Sequence, residues 1–283
     1  MISADELELV DNAFDGFHIP SKPQILTQIE QILKAEEPDM MELADLIASD
    51  LGISSVVLKT INAPFYGMRR TISEIKQAVM LLGMEVIRAL VVGVILRSAY
   101  TQKSCISLER FWDSTTDVAN TMVFIGKRIK NKVPQEKLYT VGLFQNCAIP
   151  AFAIKYPDYK DVLVAMENSV DEVETQIEND KYGSNHAVMG YYIAKAWGLP
   201  KEICHIILNH HDKNFLDTEH DEETRLLLAT LKTAENIVSK VRRFKDTPDW
   251  AHVGESSLEC LHIDQDEYDD IEDDISDMFS GGH

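Results

Sequence analysis

The chain has 283 residues, 45% of them apolar, and a net charge of −20. No apolar run reaches membrane-spanning length, since the longest, near Ala89 to Leu96, stops at Arg97. Residues 246–283 hold thirteen Asp or Glu and no Lys or Arg, so that stretch carries −13 and the other 245 residues carry −7. Such a charge argues against non-specific binding to nucleic acid or to an anionic membrane. The N-terminus MISADELELV has no basic region followed by an apolar core, so no signal peptide is expected. Cys105, Cys147, Cys204 and Cys260 lie far apart and form no CxxC pair. They read as reduced thiols of a cytoplasmic protein.

Helix starts are written as capping boxes, in which a short side chain accepts from the N3 amide and the N3 side chain reaches back. Ser3-Ala4-Asp5-Glu6, Ser21-Lys22-Pro23-Gln24 and Asp39-Met40-Met41-Glu42 have this form, as do Thr71-Ile72-Ser73-Glu74 and Ser169-Val170-Asp171-Glu172. Between them apolar residues recur at three and four, as in Ile25, Ile29, Ile32 and Leu33. No segment alternates with period two over a useful length. Val91 to Leu96 continues the helical pattern of Val86, Ile87 and Leu90, so it reads as a buried helix. The fold class is therefore all-α, with about a dozen or more helices joined by short loops.

The polar stretch Gln102 to Ser107 divides the chain. The expected units are a helical part, 1–103, a second helical part, 104–245, and an acidic tail, 246–283. A solvated, frayed tail is expected, ahead of a short amphipathic helix around Ile271, Ile275, Met278 and Phe279.

The segment Asp50 to Gly83 contains a corner, Asn62-Ala63-Pro64-Phe65-Tyr66-Gly67. Pro64 lacks a donor, Gly67 tolerates positive φ, and the two aromatics can cement a helix junction. Thr71 is expected to cap the next helix. Asn62, Phe65, Tyr66 and Gly67 are expected only to hold the turn. The alternative is a docking face with the neighbouring Lys59, Arg69, Arg70 and Lys76, which could also receive the acidic tail.

Leu138 to Phe152 is apolar on more than one side and reads as a helix buried nearly all round, with Gln145 and Asn146 at its centre. A buried amide without partners costs roughly 1–3 kcal/mol, so something polar should face both.

These motifs resemble the HDOD domain, a bacterial relative of the HD superfamily of metal-dependent phosphohydrolases. The resemblance spans about Ile19 to Asp212. It rests on the entry Ile19-Pro20, the helix Leu43 to Asp50, the corner Asn62 to Gly67 and the helix Ile72 to Gly83. It implies a multi-helical fold in which an N-terminal helical subdomain packs on an HD-like one. Catalytic relatives carry a metal-binding His-Asp pair in a GLLHDIG-like line. Here that line is Gly142-Leu143-Phe144-Gln145-Asn146-Cys147-Ala148, and the first ligand position falls on Ser114. Amides and a hydroxyl are poor ligands for a transition metal, and together they could close a neutral hydrogen-bond network.

The DHxxxG-like and HHHxP-like signatures fall on Asn185-His186 and Asn209-His210-His211-Asp212, and Glu235 stands near a last acidic ligand. The resemblance thus implies a degenerate pocket of Ser114, Gln145, Asn146, His186, His210, His211, Asp212 and Glu235, with no catalytic residue, no cofactor and no metal expected. His186 is expected to cap or pack at a helix start, and His210 and His211 to serve as imidazolium at a helix C-terminus. The function implied is a non-catalytic signalling module with a protein partner and a small ligand or nucleotide in the pocket. The alternative is a divergent phosphohydrolase or phosphodiesterase using a metal on the remaining histidines.

Overall fold

The computed structural model describes Phe17 and residues 20–129, 133–169 and 174–280. Every regular element among them is helical. Helices α1 (Gln24–Leu33), α2 (Met40–Ala48), α3 (Leu51–Ile61), α4 (Ile75–Leu82) and α5 (Met84–Ser98) come first, with a short 3-10 helix, Pro64–Tyr66, at the corner. Then follow α6 (Leu108–Arg128), α7 (Gln135–Phe144), α8 (Ile149–Lys155), α9 (Tyr159–Glu167), α10 (Glu174–Tyr182), α11 (His186–Ala196) and α12 (Lys201–Asn209). The last are α13 (Phe215–Thr218), α14 (Glu222–Arg243), α15 (Trp250–Leu261) and α16 (Gln265–Ser280). Among the described residues no helix is long and apolar enough to cross a membrane.

Local chemistry explains where elements start. Asp39 accepts from the amides of Met41 and Glu42 and caps α2. The box at Ser21 does not form, because Pro23 holds the N-cap position and no side chain bonds there. Nor does Thr71 cap α4. Asn62 takes both the N–H of Ile72 at 2.8 Å and its carbonyl at 2.7 Å, which keeps this stretch extended until Ile75. The box at Ser3, most of the box at Ser169, and Ile19 lie outside the described residues.

The central apolar run is two helices, not one. α7 stops at Phe144, residues 145–148 turn, and α8 begins at Ile149. Pro150 is the reason, since in a continuous helix its missing N–H and its ring would collide with the turn below. Gln145 keeps the last helical bond of α7, to the Val141 carbonyl, and the chain then tightens, Cys147 bonding to Phe144 and Ile149 to Asn146. Around it packing is tight: a Cβ on Gly142 would lie 2.5 Å from the Ala119 backbone of α6. Val91 to Leu96 is helical and largely buried within α5, as its periodicity predicts.

The acidic end is ordered, contrary to the expected frayed tail. Tyr268, Ile271 and Ile275 form a buried stripe on α16, and full burial of each isoleucine stabilises by about 1.5–3 kcal/mol. The acidic face meets cations: Arg128 pairs with Asp274 at 2.6 Å and Lys240 with Glu272 at 2.5 Å. Phe279 lies against the corner residue Phe65, ring centroids 5.6 Å apart, under the Arg242 guanidinium. The helix thus docks near the corner, but on Arg128, Lys240 and Arg242. Lys76 pairs instead with Asp45, and Arg69 and Arg70 are exposed.

Candidate functional site

A cavity of about 890 Å³ opens between α6, the 145–148 turn, α9 and α14. Ser114, Gln145, Asn146, His186, His211 and Glu235 all line it. Asp212 does not: it is exposed, and its carboxylate accepts from the Asn214 amide in a turn. The cavity wall also includes Asp246, Thr247, Pro248 and Asp249, from the stretch expected to be tail.

The expected neutral network around Gln145 and Asn146 is not closed. The Gln145 side chain hydrogen-bonds the Glu235 carboxylate. Its Oε1, however, and Oδ1 of Asn146 are buried and find no partner among the described residues. Two acceptors on residues of the cavity wall are therefore buried and unused, and burial without a partner costs on the order of 1–3 kcal/mol each.

The floor on α14 is charged. Lys232 reaches Glu235 at 3.2 Å and Asp249 at 2.7 Å, with only 4% of its side chain exposed. Burial pushes the Glu235 carboxyl above its ordinary range. Burial also acts to raise Asp249, but the Lys232 ammonium outweighs it and holds that carboxyl low. Asn236, one residue along, accepts from the Thr247 amide at 2.7 Å and donates to Asp246 and to the Tyr268 hydroxyl. Lys232 and Asn236 thus fasten the C-terminal stretch to the cavity.

Beside this floor stand three imidazoles. His186 opens α11, but Asn185 is the cap, accepting from the Val188 amide. The His186 ring is buried, and its Nδ1–H donates to Glu178 of α10 at 2.6 Å. Glu178 also accepts from the His186 amide and from the Tyr159 hydroxyl. Nε2 of His186 lies 2.9 Å from Nε2 of His211. His210, fully buried, donates from Nδ1 to the Ile207 carbonyl at 2.8 Å, and its Nε2 finds no partner among the described residues. Burial first, and the neighbouring imidazoles and Lys232 after it, hold His210 and His211 well below the usual histidine range. Burial thus opposes the imidazolium pair expected at the end of α12.

The corner is consumed by structure. Asn62 also donates to Leu58, Tyr66 is buried, and Gly67 ends the 3-10 helix at φ +59°. Among the residues that matter here, Glu178, Lys232, Asn236 and Asp249 escaped the sequence reading. Only Lys232 and Glu235, three apart on one helix, left a local signal.

The sequence model of the HDOD domain family matches residues 19–213. An HDOD domain protein of unknown function from Geobacter sulfurreducens has the same fold, with a TM-score of 0.69 at 21% identity over 96% of this chain and 97% of that one. A protein of Shewanella amazonensis SB2B provisionally assigned as a phosphohydrolase gives a TM-score of 0.70 at 19% identity, covering 98% and 94% of the two chains. One from Marinobacter aquaeolei VT8 provisionally assigned to signal transduction gives 0.69 at 18% identity, covering 98% of this chain and 65% of that one. An uncharacterized protein of Treponema pallidum (strain Nichols) is 21% identical over 198 residues, which are 69% of this chain and 38% of that protein.

Proposed function

Because the chain belongs to the HDOD domain family, we propose that it is a regulatory module that binds a small anionic ligand in its cavity and does not hydrolyse it. The observation that carries this reading is the donor set at the three HD positions. Ser114, Gln145 and Asn146 line the cavity, but they offer a hydroxyl and two amides where a water-activating metal needs imidazole or carboxylate. The ion implied by the HD resemblance does not fit those three residues, and no hydrolytic step is derived through them.

What remains is a binding site. Lys232 stands in the floor, Arg110, Lys160 and Arg243 line the walls, and Ile106, Leu163 and Met166 supply apolar surface. That mixture suits a phosphorylated ligand with a flat apolar part, such as a nucleotide. A ligand contacting both α14 and the 246–249 stretch would act on the docking of α16, and through it on a signalling partner. The Marinobacter relative's provisional assignment agrees with this role.

Calorimetric titration with nucleoside phosphates and cyclic dinucleotides, run beside hydrolysis of bis(p-nitrophenyl) phosphate, tests the reading. Saturable binding without turnover is expected. Turnover by the wild-type chain overturns it, whereas turnover by Gln145→His with Asn146→Asp while Ser114 is retained would show that Ser114 is not the first ligand position. The second reading, a divergent phosphohydrolase, draws on the imidazole cluster and on the Shewanella relative's provisional assignment. It requires that turnover.

A further inference from the structure

We propose that the cavity wall around Arg243 and Lys245 is a subsite for a terminal phosphate dianion, and that Glu167 stands in the phosphate's place until a ligand displaces it. Resting on the nucleotide reading of the cavity, the subsite narrows the ligand to a phosphomonoester or a diphosphate. Cyclic and diester phosphates, which carry one charge per phosphorus, are disfavoured.

Charge sets the class of ligand. In a chain of net charge −20, four cations line the cavity walls: Arg110, Lys160, Arg243 and Lys245. Against them stand two wall carboxylates, Glu167 and Asp246, which leaves an excess of two positive charges. The floor adds none, because the Lys232 ammonium already faces both Glu235 and Asp249. A phosphomonoester carries about two negative charges above its second pKa of about 6.

The cations are engaged in a way that a dianion can undo. Arg243 and Lys245 both pair with Glu167, the last residue of α9, Lys245 at 3.5 Å. The Glu167 side chain is 35% exposed and that of Arg243 52%, so the contact is weak and open to exchange. A phosphate offers Arg243 the same two-pronged geometry as a carboxylate, with more charge. A monoanion only matches Glu167 and gains little by the exchange. Arg110 and Lys160 are exposed and make no ion pair among the described residues. Lys160 shares the face of α9 that carries Glu167 but lies two turns earlier, about 10 Å along the axis. It therefore draws the anion in through its field and does not grip the same oxygens.

The backbone is bent to bring the pair together. Phe244, between Arg243 and Lys245, has φ +59° and is 92% exposed. A side chain in the left-handed region and a bare aromatic ring both lower stability, and glycine usually takes this place after a helix. In a continuing helix residues 243 and 245 would lie about 200° apart around the axis. The reversal at Phe244 lets both reach one carboxylate. Strain of this kind persists where a ligand clamp needs it.

The test titrates the full chain calorimetrically with AMP, cyclic AMP, adenosine and inorganic pyrophosphate at about pH 7.5, where the monoester is a dianion. AMP should bind at least about 10-fold more tightly than cyclic AMP. Arg243→Gln should weaken AMP and pyrophosphate by about 10-fold or more, the loss of a charge-assisted contact. Glu167→Gln should tighten both by about 2–5-fold, the size of one exposed ion pair. Such a gain cannot come from misfolding. Lys34→Gln, on α1 with its side chain 79% exposed, should bind like wild type. Equal affinity for AMP and cyclic AMP, or no gain in Glu167→Gln, overturns the subsite. Nucleotide binding that ignores Arg243 and Glu167 removes the subsite and leaves the regulatory reading standing. Pyrophosphate binding that obeys both substitutions, with AMP and adenosine silent, keeps the subsite and removes the nucleotide. If none of the four binds, both fall.

Discussion

At the corner, Asn62 spends its amide fully: it takes the amide and carbonyl of Ile72 and donates to Leu58. In the cavity, Asn146 keeps its oxygen buried and unpartnered, and so does Gln145 beside it. Both regions carry motif residues, and both sit where helices break. A motif whose polar groups are all used by its own backbone is explained by the fold. A motif left with unspent acceptors beside a large cavity is explained by something that arrives from outside.

Substitutions can break this contrast or sharpen it. The largest effect is expected at Lys232→Met, which leaves Glu235 and Asp249 buried without their cation and should cost about 3–5 kcal/mol in urea unfolding at pH 7. Lys232 holds the Asp249 carboxyl below its unfolded value, so this stabilisation is complete above about pH 4 and is lost as pH falls through the lowered value. The gap between wild type and variant should therefore narrow in acid. A gap that widens there would show that Asp249 is not the partner that matters.

Asn62→Ala comes next, at about 2–3 kcal/mol, from three lost hydrogen bonds and an Ile72 backbone left partly unpaired. Phe279→Ala should cost about 1–2 kcal/mol in urea unfolding through loss of the Phe65 ring and the Arg242 contact. Asn146→Ala is the sharpest comparison with Asn62→Ala and should shift stability by less than about 1 kcal/mol. Equal costs for the two asparagines would erase the distinction between corner and cavity.

Much of the helical fold was legible because the 3.6-residue period and the caps at Asp39 and elsewhere are local. So was the gathering of Ser114, Gln145, Asn146, His186, His211 and Glu235, because the resemblance carries three-dimensional information that spacing alone does not. What failed were places where a distant contact overrides a local signal. Thr71 has capping form, but Asn62 holds the backbone beside it extended. Ile271 and Ile275 lie in so acidic a stretch that composition suggested solvent, whereas the apolar stripe and the cations of other helices order it. Lys232 and Asp249 are on different elements, and no sequence pattern announces that they meet. Pro150 did announce the break after Phe144, and the apolar run around it drowned the signal.

The contact between Phe65 and Phe279 also bears on how the molecule is made. The two rings are 279 − 65 = 214 positions apart. At synthesis rates of about 5–20 residues per second, the corner leaves the ribosome roughly 10–40 seconds before the helix that covers it. During that interval a nascent chain displays Phe65 bare, and so long a loop closes late. A chaperone that binds aromatic segments would find its target there, and truncated translation products would carry the same mark.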